Sequence, residues 1–325
     1  MSTHDGPLLS IAIPVYNGAG FIERCLASVG AAVGSLDSHE RARIEVVVCD
    51  NHSTDATAEL IRAAAGPLTL RVVEPPAFLE NRTSNWNHAI RATSGEWTMM
   101  LHADDRLVPA GLRPLLRACA RGASSQAVML YGQHTTFTDS GDTGPVRPRW
   151  PLRSRLRGSA LRERVLPFIC PFVPFTVFRR SAYDRIGGFD QSFELVQDWE
   201  GWIRLLALGH AAYVPVVYGD WRTHDFSPNY ARIMATEQVR VALDIERLVP
   251  GIATSHVRDA RLAAVAKGPI LLGDAWRDTL GAAFPTGIAE ELAMDPVALS
   301  RELARINGAM GRAFYLERAR GTVAG

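Results

Sequence analysis

The sequence predicts an α/β protein with a mostly parallel sheet, helices on both of its faces, and a helical C-terminal appendage. Three observations carry that class. Apolar runs of strand length alternate with segments whose apolar residues recur at helical spacing from Leu8 to Tyr218. The runs are nearly continuous in hydrophobicity, as strands buried on both faces require. After Ser227 the strand pattern stops, and Arg232 to Leu248, Val257 to Lys267 and Val297 to Leu316 read as helices rich in Ala, Leu, Arg and Glu. With 325 residues the chain is longer than one average domain, and the break divides it into 1–227 and 228–325.

Taken in order, Leu8-Leu-Ser-Ile-Ala-Ile-Pro-Val15 is the first strand, closed by the turn Tyr16-Asn17-Gly18. Phe21, Ile22, Cys25, Leu26 and Val29 then form a helical stripe. Gly18 and Gly20 invite a dinucleotide-binding reading, but the third glycine of that fingerprint falls on Glu23, which rejects it. Ile44 to Cys49 is the second strand, broken by the polar run Asp50-Asn-His-Ser-Thr-Asp55. One cap from Ser53, Thr54 or Asp55 suffices for the next helix, which leaves Asp50 at a strand end, where open α/β sheets bind ligands.

Leu68 to Val73 is the third strand. Thr83 to Thr93 forms a short helix with Trp86, Ala89 and Ile90 inward and Arg82, Asn85 and Arg91 as polar candidates, ended by Gly95. The strand Trp97 to Leu101 runs into His102-Ala103-Asp104-Asp105, and Pro109 opens a helix carrying Leu112, Leu115, Leu116 and Cys119. Two adjacent carboxylates at a strand's carboxyl end suit a hard divalent cation shared with phosphates. The competing reading is that Asp104 or Asp105 caps the Pro109 helix.

Ala127 to Tyr131 is a further strand, and Thr138 to Arg164 is an arginine-rich loop or lid. Phe172 to Phe178 is a strand candidate, followed by Ile186-Gly-Gly-Phe-Asp190. In Gln197-Asp-Trp-Glu-Gly-Trp-Ile-Arg204, Asp198 stands at a helix start among bulky apolar residues, either as an N-cap or as a carboxylate base, with Glu200 a weaker rival. Tyr213 to Tyr218 closes the sheet, and His224 follows in a polar loop, where an imidazole suits a metal or a phosphate.

Composition narrows the function. Hydrophobic residues make up 47% and charged residues 21%, a globular balance, and the formal net charge of +1 argues against nucleic acid as a general partner. No stretch reaches the roughly 18 to 20 apolar residues of a membrane span. Met1 to Pro7 lacks the pattern of a signal peptide, so the expectation is a cytoplasmic protein. Cys25, Cys49, Cys119 and Cys170 are widely spaced and read as buried thiols rather than a disulfide frame or a zinc site.

The pieces in this order resemble the family 2 glycosyltransferases, inverting enzymes of the GT-A fold that use nucleotide-activated sugars. Ser10-Ile-Ala-Ile-Pro-Val-Tyr-Asn17 looks like the family's nucleotide-contacting opening strand, which implicates Pro14, Tyr16 and Asn17. Asp50-Asn-His-Ser-Thr-Asp55 is similar to its Asp-x-x-Ser-x-Asp segment, implicating Asp50 and His52 in holding the nucleoside. Asn85-Trp-Asn-His-Ala-Ile and Ser94-Gly-Glu96 look like the approach to the metal strand, with Arg82 and Asn85 as donor contacts.

His102-Ala-Asp-Asp105 occupies the place of Asp-x-Asp. The resemblance implies Asp104 as the Mn²⁺ or Mg²⁺ ligand, joined by Asp105 and His224, with His102 and Ala103 against the donor. His102 stands where the family has its first Asp, and Gln197 where it has a Glu. Gly187-Gly-Phe-Asp190 and Gln197-Asp198 resemble the acceptor-side elements, which makes Asp198 the general base. The implied partners are a nucleotide sugar, expected to be a UDP-sugar, and a small-molecule or soluble glycan acceptor. The C-terminal helices are expected to serve acceptor binding or a homodimer. A non-catalytic sugar-nucleotide-binding protein and a nucleotidyltransferase are the competing classes; the second lacks its glycine- and lysine-rich phosphate loop near Tyr16.

Overall fold

A computed structural model describes residues 6–64, 70–122, 126–141, 143–144, 146, 170, 175–223 and 227–306. The chain forms two compact units. One comprises 1–155, 172–191 and 208–224; the other comprises 156–171, 192–207 and 225–325.

The first unit is built on β1 (Leu9–Val15), α1 (Ile22–Gly34), α2 (Ser38–Arg41), β2 (Ile44–Asp50), α3 (Thr57–Ala64), β3 (Leu70–Val73), α4 (Arg82–Arg91), β4 (Trp97–Met100), β5 (Arg106–Leu107), α5 (Pro109–Gly122), β6 (Ala127–Phe137), β7 (Val177–Arg179), α6 (Arg180–Arg185) and β8 (His210–Arg222). The strands make one sheet in the order β3-β2-β1-β4-β7-β6-β8-β5. β1 pairs in parallel with both β2 and β4, β2 with β3, and β6 with β8. β7 runs antiparallel to β4 and β6, and β5 antiparallel to β8, so the sheet is mixed beyond β4.

The chain steps outward from β1 to β2 and β3, then returns to β4 on the other side of β1. That reversal opens a crevice at the carboxyl ends of β1 and β4, where a sheet of this kind takes its ligands. Both faces of the central strands are covered. Ile11, Ile13, Val46, Val48, Met99 and Leu101 pack with Ile22, Leu26 and Val29 of α1 and with Leu112 and Leu115 of α5. Ala12, Val47 and Cys49, which alternate with that set, are buried as well, and α4 lies against β1 and β2.

Several elements depart from the sequence expectation. β6 extends to Phe137 and β8 spans His210 to Arg222, longer than the apolar runs Ala127 to Tyr131 and Tyr213 to Tyr218, because the two strands support each other's polar halves in register out to Phe137 and Arg222. The strand expected over Phe172 to Phe178 is β7, and its residues 172–174 lie outside the described set. Most of the expected loop at 138–164 also lies outside it, as does His224.

The second unit is helical where described: α7 (Gln197–Leu205), α8 (Pro228–Leu243), α9 (Ile245–Leu248), α10 (Thr254–Val265), α11 (Gly268–Leu272), α12 (Trp276–Ala283), α13 (Ala289–Leu292) and a last helical stretch at 296–306. The strandless reading beyond Ser227 agrees with it as far as residue 306, and the rest of the helix expected over Val297 to Leu316 lies outside the described residues. Among the described residues, no helix is long and apolar enough to cross a membrane. The four cysteines are free thiols, three of them buried.

Candidate active site

The crevice is shaped first by its turns. Asn17 and His52 hold left-handed backbone conformations, with φ of 49° and 59°, a region in which Asn and His are among the better tolerated non-glycine residues. The Asn17 N–H donates to Ser53 Oγ at 2.9 Å, and its Oδ1 accepts from the Thr54 N–H at 2.8 Å. Gly18 N–H donates to Thr57 Oγ1 at 2.8 Å and Ala19 N–H to Asp55 Oδ2 at 3.1 Å. The polar run after β2 is thus the scaffold of the turn after β1, which accounts for its length.

Within that scaffold Asp50 is 3% exposed, and its Oδ1 accepts from the Ser53 N–H at 3.1 Å and Ser53 Oγ at 2.6 Å. His52 Nε2 lies 2.9 Å from the Pro75 carbonyl oxygen. Pro14 sits in β1 opposite Cys49. Tyr16 is 47% exposed with its ring centroid 4.9 Å from that of Phe78, so the mouth of the crevice carries an open aromatic pair. Buried Asn85 spans the strand ends: its Nδ2 is 3.5 Å from the Val15 carbonyl oxygen, and its Oδ1 accepts from Cys49 Sγ at 3.5 Å. Arg82 is exposed on the first turn of α4, its guanidinium 5.6 Å from the Trp86 ring centroid.

Immediately after β4, one ligand atom each from His102, Asp104 and Asp105 lies within 4.8 Å of the others. Ala103 lies between them, part-buried. Asp105 does not cap α5. Its Oδ1 accepts from the Arg222 N–H at 2.9 Å, tying the loop to the end of β8, while its Oδ2 is buried without a hydrogen-bond partner. His102 Nε2 is likewise buried without one, and its Nδ1 is 3.8 Å from Asp105 Oδ2. The His102 ring packs 4.6 Å from Trp86.

Electrostatics follow from this packing. Burial holds the His102 imidazole down at about 4, against the pull of Asp104, so it is neutral at pH 7. Burial, reinforced by Asp104, pushes the Asp105 carboxyl well above the usual range. Burial and both carboxylates also raise the Cys25 thiol, which donates to the His102 carbonyl oxygen and stays protonated. An imidazole and two carboxyl groups, with buried atoms of His102 and Asp105 unsatisfied, are a donor set that could hold a divalent cation.

Arg222 completes this end of the sheet. Its Nη1 is 3.6 Å from Asp104 Oδ2, its fork bonds Asp139 at 2.9 and 2.5 Å, and its guanidinium lies 4.4 Å over the Phe21 ring. Neither Asp139 nor Phe21 is picked out as a site residue from the sequence, where Phe21 reads only as part of a helical stripe, since the link joins segments far apart in the chain.

The Gly187-Gly188 turn is held from α4. Both glycines have positive φ, 77° and 88°. Asn87 donates from Nδ2 to the Phe189 carbonyl oxygen and accepts from the Phe189 N–H, both at 2.9 Å, and Tyr183 Oη donates to its Oδ1. A Cβ on Gly188 would stand 3.0 Å from Asn87 Oδ1, so the glycine is needed for closeness as well as for φ.

In the second unit, α7 begins at Gln197, with Val196 at its cap position. Asp198 therefore lies inside the first turn rather than at the N-cap. It is half-buried, and its Oδ1 is 2.7 Å from the Trp199 N–H. Glu200 is 1% exposed and is gripped through both oxygens by Arg204 at 2.6 and 2.7 Å, which separates it from its neighbour Asp198.

A sheet with this strand order, a helical C-terminal region and carboxylates at the end of β4 defines the class of GT-A glycosyltransferases. Residues 10–187 match Glycosyl transferase family 2, and the chain belongs to that family. It is 29% identical over 256 residues to an uncharacterized protein of Mycobacterium tuberculosis, covering 75% of each chain. It is 25% identical over 227 residues to the chondroitin synthase of Pasteurella multocida, covering 67% of this chain but only 21% of that much longer protein. Among solved structures, S. aureus TarS 1-349 in complex with UDP-GlcNAc superposes with a TM-score of 0.62 at 15% identity, covering 95% of this chain and 92% of the other. A mannosyltransferase from Pyrobaculum calidifontis in complex with GDP-Man and Mn²⁺ superposes with a TM-score of 0.57 at 20% identity, covering 98% and 88%. The protein is a glycosyltransferase.

Proposed function

We propose that the chain is a metal-dependent inverting glycosyltransferase that moves a sugar from a UDP-sugar to an acceptor hydroxyl or amine. The observation that carries this is the group of His102, Asp104 and Asp105 at the end of β4, with two buried polar atoms lacking partners, beside the crevice lined by Asp50 and Tyr16. A bound Mn²⁺ or Mg²⁺ supplies charge neutralisation for the nucleoside-diphosphate leaving group. His102, Asp104 and Asp105 hold it, and His224 is proposed to join them from a segment outside the described residues.

Asp50 accepts hydrogen bonds from the nucleoside, with His52, Asn17 and Pro14 shaping that end. Tyr16 offers its ring face to the base. Arg82, Asn85 and Ala103 are proposed as further donor contacts. Asp198 takes the proton of the acceptor as that group attacks the anomeric carbon, and the single displacement inverts configuration. Residues 228–325 are proposed to serve acceptor recognition or a homodimer. A neighbour of the same fold bound to UDP-GlcNAc supports the donor assignment, and another, bound to GDP-Man and Mn²⁺, supports the metal.

The test is release of UDP from UDP-GlcNAc in the presence of Mn²⁺. Asp198→Asn is expected to lower turnover by about 10²-fold or more, the scale of a lost general base, with UDP affinity nearly unchanged. Retained turnover in that variant rejects Asp198 as the base.

A further inference from the structure

The segment that leads into Asp198 is held by the C-terminal helices. Glu237 of α8 is 9% exposed, and its carboxylate accepts three successive backbone N–H groups: Glu194 at 2.6 Å on Oε1, then Leu195 at 2.8 Å and Val196 at 3.0 Å on Oε2. One turn further along α8, Arg240 donates to the Ser192 carbonyl oxygen at 2.9 Å and to Ser192 Oγ at 2.6 Å, with its guanidinium 4.1 Å over the Phe193 ring. Lys267 Nζ donates to Gln238 Oε1 at 2.9 Å and lies 5.2 Å from the Trp199 ring. Three side chains of the C-terminal region thus grip residues 192–196 and 199, on both sides of Asp198.

The chemistry of the grip is specific. A carboxylate offers two acceptor oxygens and no donor, so it satisfies all three N–H groups at once through charge-assisted bonds. A carboxamide has only one acceptor oxygen, and in either orientation its NH₂ would face an N–H. Val196 caps α7 without a side-chain bond of its own, so the orientation of the first turn depends on where these N–H groups are held. That first turn carries Asp198.

We propose that Glu237, seconded by Arg240, is a positioning residue for glycosyl transfer: α8 sets where Asp198 stands, and the C-terminal helices are part of the catalytic apparatus. This rests on the assignment of Asp198 as the general base and adds a role for the region that follows the family match. Misplacing a reacting group by about 1 Å costs on the order of 10²-fold in rate.

The test uses the full chain as wild type, Glu237→Gln, Glu237→Asp, Arg240→Ala and Asp198→Asn. It measures UDP release from UDP-GlcNAc with Mn²⁺, UDP affinity by calorimetry, and amide exchange at 194–196. Glu237→Gln is expected to speed exchange at those amides by about tenfold or more and to lower kcat by about tenfold to 10²-fold, with UDP affinity within about twofold of wild type. Glu237→Asp, which keeps both acceptor oxygens, recovers part of the rate, and Arg240→Ala shows a smaller loss of the same kind. Unchanged exchange in Glu237→Gln overturns the proposal, as does faster exchange with unchanged kcat, or a loss of UDP affinity equal to the loss of rate. If Asp198→Asn itself turns over normally, the base assignment has failed rather than the grip; if it is inactive while Glu237→Gln loosens the amides without slowing release, only the positioning role has failed.

Discussion

At the scale of single residues, Asp105 shows how one carboxylate does two jobs. Its Oδ1 anchors the Arg222 N–H, while its Oδ2, buried without a hydrogen-bond partner, is the atom proposed to meet a cation. From sequence, an Asp four residues before a helix-opening proline reads equally as a cap, because a cap and a tether need the same acceptor. The true partner lies 117 residues away. Burial and Asp104 raise the Asp105 pKa, so the sign of its linkage is set: as pH rises from about 4, the unfolded chain loses this proton before the folded one, and stability falls. In EDTA, Asp105→Asn removes that loss while keeping an oxygen for Arg222. Its melting temperature is expected to exceed the wild type's by a margin that widens as pH rises above about 4, while the rise in melting temperature that Mn²⁺ gives the wild type disappears. Thermal melts across pH check this, and a margin that narrows with rising pH would contradict it.

At the scale of elements, α4 joins the strand-end crevice to the glycine turn. Asn85 reaches the ends of β1 and β2, and two positions later Asn87 holds Phe189 and Tyr183. Asn87→Ala leaves the buried N–H and C=O of Phe189 without those bonds, which is expected to cost roughly 2–4 kcal/mol in denaturant unfolding. A cost under about 0.5 kcal/mol, the level of a surface change, would show that the turn stands without α4. The buried strands were readable because a strand covered on both faces is apolar at nearly every position, as β1, β2 and β4 are. β5 escaped because a two-residue strand carrying Arg106 has no such pattern and is defined by its pairing with Asp220 and Gly219. β7 was legible as a strand, but not as an antiparallel insert between β4 and β6, since direction is set by where the chain returns. Asn87 looked like one more polar residue on a helix, its partner 102 residues off.

At the scale of the molecule, the order of strands is what turns separate polar clusters into one crevice. The reversal between β3 and β4 places Tyr16, Asp50 and His102 at the ends of neighbouring strands, although the sequence holds them tens of residues apart. The strand-end positions of these groups were legible, because polar residues stop an apolar run wherever a strand leaves the core. The grouping of His102 with the two carboxylates was not, since the family resemblance set it against the donor and only the fold shows its Nε2 buried without a partner. The central claim is that this group binds a cation which the nucleotide shares. Calorimetry of UDP binding with Mn²⁺ and in EDTA, on wild type and Asp104→Ala, tests it most directly. The wild type is expected to bind UDP at least about tenfold, or roughly 1.4 kcal/mol, more tightly with Mn²⁺, and Asp104→Ala to lose most of that difference. Equal affinity of the wild type with Mn²⁺ and in EDTA would contradict the claim.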